Sequence, residues 1–221
     1  MSMHAMQGVW LALAVLGAAG CGRQVATVAQ PAVAIAVDDT SVGCGMAIAG
    51  APGPRAEAYL AGQPAPLKFG SVRDFFAFIL QPENRHQLGQ LYVQDMAGAD
   101  WRRPPSSPRS FIDARTAYYV AWQPLAGMMG PTFASFANAP AAADFVRRHG
   151  GQVVRFDDVD AALTAALDTR CPAPGSAMHA RFRACAAGSG MADTSVAVMA
   201  GMHDGRSGMS PGHAMSAHVP H

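Results

Sequence analysis

Apolar residues recur with the spacing of strands and helices only in the middle of this 221-residue chain. This restriction limits the possible fold more than any other sequence feature. Residues 39–168 carry these patterns and are predicted to form one folded domain. Residues 22–38 are small and weakly patterned, and we interpret them as a linker. Residues 176–221 contain six methionines and five histidines, with one phenylalanine and no tryptophan or tyrosine. Such a segment buries little apolar surface, so we predict a disordered tail over residues 169–221.

The N-terminus has the features of an export signal. Residues 8–20 are an apolar run, shorter than the roughly 20 residues that span a bilayer and typical of a secretory signal. The run ends in Ala18-Ala-Gly-Cys21, which resembles a bacterial lipobox, so we predict a signal peptide over residues 1–21 with lipid attachment at Cys21. The alternative is a plain cleaved signal in which Cys21 is incidental. Both place the protein in the periplasm, and Gly22 after the cysteine favours the outer membrane.

The patterned region predicts short strands mixed with helices. Ser71, with Asp74 three residues later, predicts a helix start, and Pro82 ends that helix. Asn138 and Pro140 open a second helix. The other expected elements are strands over 56–60, 67–69, 91–93, 116–122 and 152–156, and a third helix over 159–167. The predicted fold class is therefore α+β, with helices packed on small sheets.

Charge and motifs exclude several classes of protein. The formal net charge is +1 and no charge run is longer than a pair, which argues against nucleic acid as a partner. The folded region has two histidines, His86 and His149, and neither can be placed in a Ser-His-Asp arrangement. A phosphate loop and a dinucleotide fingerprint are also missing from the sequence. We therefore do not predict an enzyme.

A thiol and a thioether lie two residues apart in Cys44-Gly-Met46. These soft ligands select Cu(I), whereas a zinc site would need about four Cys, His or carboxylate ligands in recognisable spacing. The alternative is a buried free cysteine beside a core methionine. Met96, Met128 or Met129 could complete a copper site, although Met96 could equally be core filler.

The tail offers a second group of soft donors. Its candidate ligands are Met199, Met202, His203, Met209, His213, Met215, His218 and His221. Exposed methionines have no packing reason to accumulate there, so copper capture is one interpretation. Compositional drift and a nickel or zinc tail are the alternatives.

Cys171 and Cys185 most simply form a disulfide in an exported protein. A second copper site that includes Met178 and His179 is the alternative.

Several stretches between about residues 44 and 158 together resemble the NosL family of copper-binding accessory lipoproteins. They are Cys44-Gly-Met46, Lys68-Phe-Gly-Ser-Val-Arg-Asp74 with Phe75 and Phe78, Tyr92-Val-Gln-Asp-Met96 with Trp101, Phe111-Ile-Asp-Ala-Arg115 with Ala117-Tyr-Tyr-Val120, Gly127-Met-Met-Gly130, and residues 145–156 around His149-Gly-Gly151. The resemblance implies two similar small α+β halves, related to the organomercurial lyase fold, and no catalytic turnover. It implies periplasmic Cu(I) binding and delivery toward the copper–sulfide centre of nitrous-oxide reductase, with the reductase and its maturation machinery as partners.

Carried over by position, Cys44, Met46 and Met96 are the best ligand candidates, and Met129 is next. The family commonly has a second cysteine where this chain has Ser41, so a two-cysteine site is excluded. Two other functions are to be compared with copper delivery. Organomercurial lyase chemistry would need a thiol pair with a carboxylate, and general copper buffering would use the tail as its main metal store.

Overall fold

The first half of the fold is a four-stranded antiparallel sheet with two helices, as seen in a computed structural model that describes residues 30–188. Its elements are β1 (Ala56–Leu60), β2 (Leu67–Phe69), α1 (Val72–Ile79), α2 (Pro82–Arg85), β3 (Leu88–Gln94) and β4 (Phe111–Asp113). The strand order is β2-β1-β3-β4, and every neighbouring pair is antiparallel. A short 3-10 helix at Pro108–Ser110 precedes the edge strand β4.

The second half repeats this arrangement. Its elements are β5 (Tyr118–Ala121), β6 (Ala134–Phe136), α3 (Ala139–His149), β7 (Gly150–Arg155), α4 (Ala161–Ala165), α5 (Ala177–Arg181) and β8 (Ala186–Ala187), with a 3-10 helix at Phe156–Asp158. The strand order β6-β5-β7-β8 matches that of the first sheet position by position. The predicted α+β fold of two similar halves is therefore confirmed.

Helix α1 joins the halves because its apolar face packs on residues of both. Ser71 Oγ accepts a hydrogen bond from the backbone N–H of Asp74 (3.1 Å), so the helix begins where the cap pattern predicts. The buried ring of Phe76 lies 5.0 Å from the ring of Tyr119 and 5.3 Å from that of Phe133, both in the second half. Truncating such a buried ring costs about 3–5 kcal/mol. This packing fixes the N-terminus of α1, which borders the candidate site.

Residues 169–188 include the short helix α5 and the strand β8, so the predicted start of the tail at residue 169 was wrong. A disulfide joins Cys171 to Cys185 across a Cα–Cα distance of 5.7 Å. Between them, the ring of Phe182 is buried 4.9 Å from that of Trp122. One cross-link and one apolar anchor suffice to hold this segment, and a composition averaged over the whole tail hides them. Residues 189–221, with the tail ligands Met202 to His218, lie outside the described residues.

The N-terminal boundary of the fold also differs from the expected one. Tyr59 Oη donates to the carbonyl of Pro31 (2.8 Å), and the Val33 N–H donates to Glu57 Oε2 (3.0 Å). Ile35 is buried, so the fold begins near residue 31 and the linker predicted over residues 22–38 ends too late. Residues 1–29, with the predicted signal and Cys21, lie outside the described residues. Between residues 30 and 188, no helix is long and apolar enough to cross a membrane.

Candidate metal centre

Cys44 and Met46 lie on a tight turn that the backbone closes. The Ser41 N–H donates to the Met46 carbonyl (2.9 Å), and the Gly45 N–H donates to the Ser41 carbonyl (2.7 Å). Gly45 has φ +70°, a conformation that glycine adopts without steric cost. Cys44 is a free, exposed thiol and the Met46 side chain is 44% exposed. The alternative of a buried cysteine beside a core methionine is therefore excluded.

The turn that carries Cys44 is fastened to the junction of β2 and α1. The Gly70 N–H donates to Ser41 Oγ (3.1 Å), and Ser41 is buried. The Val42 N–H donates to the Lys68 carbonyl (2.9 Å). A hydroxyl at residue 41 thus binds the turn to the start of α1.

Met128 and Met129 occupy the corner of a second turn. The Gly127 N–H donates to the Gly130 carbonyl (2.7 Å), and the reverse bond is 3.3 Å long. Trp101 Nε1 donates to the carbonyl of residue 126 just before this turn (2.8 Å). The Met129 side chain is 50% exposed. The glycines therefore present Met129 to solvent, as the sequence pattern predicts.

Met128 has a different position from its neighbour. A Cβ built on Gly70 would lie only 1.9 Å from Met128 Sδ, so the thioether packs directly on the Gly70 backbone. Met128 is half-buried there. Gly70 is thus the point where the turn of Cys44, through Ser41, and the turn of Met129, through Met128, both rest.

An open cavity of about 660 Å³ lies between the two turns and α1. Cys44 and Met129, from different halves of the fold, both line it. The other lining groups include Arg73, Asp74, Phe78 and Gln81. The structure therefore brings together a thiol and a thioether that are far apart in sequence. We call this cavity the sulfur groove.

The other methionine candidates do not line the sulfur groove. Met96 is 5% exposed and packs in a separate core cluster with Phe136 and Phe145. Its N–H donates to the Ser135 carbonyl (2.9 Å), which fixes its backbone to β6. The expectation that Met96 joins Cys44 does not fit this packing, and the core-filler alternative does. Met46 shares the turn of Cys44 and is exposed, but it lies outside the lining of the groove.

Asp74 lines the groove, although the sequence pattern predicts only a part for it in the cap of α1. The Asp74 N–H donates to Ser71 Oγ as a serine cap predicts, but the Asp74 carboxylate does not return a bond to the Ser71 N–H, so the capping box is incomplete. Asp74 Oδ2 is buried and has no hydrogen-bond partner among the described residues. The position of Asp74 three residues after a serine does not predict an unpaired carboxylate oxygen in the groove.

Hard-ligand metal sites have no support in the described part of the chain. Residues 30–188 contain no cluster of three or more His, Cys, Asp or Glu side chains that could hold a metal ion. The larger pKa shifts lie away from the groove, as at Glu57, where burial raises the carboxyl pKa to about 7. The candidate donors are therefore sulfur atoms, which are typical ligands of Cu(I).

Comparison with known proteins gives consistent results. The NosL family model matches residues 32–164. The copper-binding lipoprotein NosL of Stutzerimonas stutzeri is 38% identical over 161 residues, covering 71% of this chain and 82% of that protein. Its namesake from Achromobacter cycloclastes is 38% identical over 130 residues, covering 57% and 66%. The crystal structure of the copper chaperone NosL from Shewanella denitrificans superposes with a TM-score of 0.58 at 37% identity, covering 60% of this chain and 98% of that one. Sequence and fold thus agree, and the chain belongs to the NosL family.

Proposed function

We propose that this protein is an exported, lipid-anchored Cu(I) carrier that delivers copper for assembly of the copper–sulfide centre of nitrous-oxide reductase. The observation that carries the proposal is the shared lining of the sulfur groove by Cys44 and Met129. The names of the relatives, copper-binding lipoprotein and copper chaperone, support it. Its partners would be the reductase and its maturation machinery, and Cys21 would provide the membrane anchor.

The donor set suits a metal that must be passed on. A thiolate with one or two thioethers satisfies Cu(I), so Cys44 and Met129 can hold the ion and Met46 can complete the set. All three side chains are exposed, at 44% for Met46 and 50% for Met129. A ligand from a receiving protein can therefore approach the metal directly and displace these donors one at a time. Delivery, and not permanent storage, follows from this accessibility.

Catalysis on organomercurials has little support. Such chemistry needs a pair of thiols, and Cys44 is the one free cysteine among residues 30–188. The other two cysteines of that range, Cys171 and Cys185, are joined in the disulfide. We therefore propose a binding protein and not an enzyme.

The test is a Cu(I) titration against a chromogenic chelator with the detergent-solubilised full chain. We expect one tight site that Cys44→Ala abolishes and that Met129→Ala and Met46→Ala weaken. Met96→Leu is the matched control because it replaces a buried methionine that lies outside the groove. Tight binding that survives Cys44→Ala would contradict the proposed site.

General copper buffering is the competing function, and truncation separates the two. A chain ending at Gly188 keeps the disulfide and Phe182, so it removes only residues outside the described part. If the groove delivers copper, the truncated chain retains the tight site and still supports formation of the reductase copper centre. If Met202, His203, Met209, His213, Met215 and His218 hold the functional copper, the tight site is lost with them.

A further inference from the structure

The carboxyl group of Asp74 lies against the turn that carries Cys44. A Cβ placed on Gly43 would lie 3.7 Å from Asp74 Cβ and 3.9 Å from Asp74 Cγ. Asp74 and Cys44 also line the same groove. The carboxyl group therefore lies beside the residue that precedes Cys44, in the groove that Cys44 lines.

The Asp74 carboxylate forms no ion pair within residues 30–188. Its Oδ2 is buried and accepts no hydrogen bond from any residue in that range. Arg73 precedes it and lines the groove, but no ion pair of the described chain includes either residue. Asp74 as a whole is half-buried, but a buried carboxylate oxygen without a partner is costly, and a cation that entered the groove would relieve that cost.

We propose that Asp74 is a positioning residue that raises the affinity of the sulfur groove for a soft monovalent cation through its negative charge. The inference rests on the proposed function of Cys44 and Met129. A carboxylate is a hard donor, so Asp74 acts through its field and does not replace a sulfur ligand of Cu(I). A negative charge beside the exposed Cys44 lowers the energy of a cation bound there, which favours loading.

A structural role for Asp74 predicts a different set of effects. An acidic residue in the first turn of α1 also complements the helix dipole, and removing it would then lower stability. If the charge instead serves the metal, neutralising it removes an unpaired buried carboxylate and does not lower the melting temperature. Stability and copper affinity therefore change in different directions under the two explanations.

The main variant is Asp74→Asn, which removes the charge and keeps the shape. Asp157→Asn is the matched control because Asp157 is exposed and does not line the groove. Asp74→Ser is a second neutral variant that is compatible with the first turn of a helix. All are made in the detergent-solubilised full chain. We expect Cu(I) affinity to fall about tenfold in both Asp74 variants, the scale of one charge nearby at moderate effective dielectric, and to stay within about twofold in the control.

A second readout reports the local charge without metal. Cys44 is treated with a cationic and an anionic methanethiosulfonate reagent, and the ratio of the two rates is compared, with Cys44→Ala as the background. The thiolate fraction cancels in this ratio, so only the local potential remains. We expect the ratio to exceed that of a small free thiol in the parent and the control, and to fall several-fold toward the free-thiol value in both Asp74 variants.

The inference is overturned if both Asp74 variants bind Cu(I) like Asp157→Asn, or if they unfold at lower temperature with an unchanged reagent ratio. Failure of the proposed function looks different. In that case Cys44→Ala retains tight copper binding, whatever Asp74 does.

Discussion

Replacing Gly70 with alanine would push apart the two turns that form the sulfur groove. An added Cβ would lie 1.9 Å from Met128 Sδ, 3.3 Å from its Cγ and 3.4 Å from its Cε. A normal contact between such atoms is about 3.5–4.0 Å, so the thioether must move by roughly 1.5–2 Å. The backbone of Gly70 lies outside the left-handed region, so alanine adds no conformational strain of its own.

The steric conflict has two consequences of different size. Overpacking costs about 1–3 kcal/mol in well-packed cores, and we expect the lower end here because methionine is flexible and Met128 is half-buried. Met128 can move by a change of rotamer or by a shift of its turn, and a shift of the turn also moves Met129, the next residue. We expect Cu(I) affinity to fall about tenfold, which corresponds to about 1.4 kcal/mol.

The measurement combines thermal unfolding with Cu(I) competition on Gly70→Ala, Met128→Ala and the double variant. Met128→Ala alone should weaken Cu(I) binding less than Gly70→Ala, because it removes a packing contact of the turn without forcing the two turns apart. The double variant should recover most of the affinity, since the clashing atoms are gone. If Gly70→Ala binds copper normally, or if the double variant recovers nothing, the steric coupling between the turns is refuted.

Three further predictions concern other parts of the fold. Burial raises the pKa of Glu57 to about 7, so the folded state retains the proton, and stability should fall by at most about 3 kcal/mol as pH rises from about 4.5 to 7. Glu57→Gln should remove this fall when melting temperatures are compared at pH 5 and pH 8, and an equal pH dependence in parent and variant would contradict the reasoning. Replacing Cys171 and Cys185 with serine opens a loop of 14 residues and should lower the free energy of unfolding, measured with denaturant, by about 3 kcal/mol. Cu(I) binding at Cys44 should stay intact, and its loss would show that this segment supports the groove. Met96→Leu should lower the free energy of unfolding by less than about 1.5 kcal/mol and leave Cu(I) affinity unchanged, because it conserves side-chain volume in a core. A tenfold loss of affinity would instead support Met96 as a ligand.

Elements with strong local signals could be predicted from the sequence. The helix at Val72–Ile79 has a serine cap and an apolar face, and the strand at Ala56–Leu60 was expected with the same bounds. The three-residue strands Phe111–Asp113 and Ala134–Phe136 were missed. A three-residue segment carries little periodicity, so the sequence predicts one such strand, Leu67–Phe69, and not the other two. These segments become strands because neighbouring strands offer free hydrogen-bonding edges.

The chemistry of the site was determined largely by residue type. Cys44 with nearby methionines implies soft ligands, and the glycines around Met129 predict its exposure, which the structure shows. Residue type could not distinguish Met129 from Met96, because both are methionines near turns. Met96 is buried by the rings of Phe136 and Phe145, which approach it only in the folded chain.

Tertiary structure alone decided which distant side chains meet at the groove. The sequence determined where most helices and strands begin and which donor atoms are available, because cap, turn and periodicity signals depend on neighbours along the chain. It did not determine that Cys44 and Met129 line one groove, or that the Asp74 carboxylate lies unpaired beside them. Those positions depend on the packing of two distant turns on Gly70, and contacts between distant segments form only when the whole fold closes.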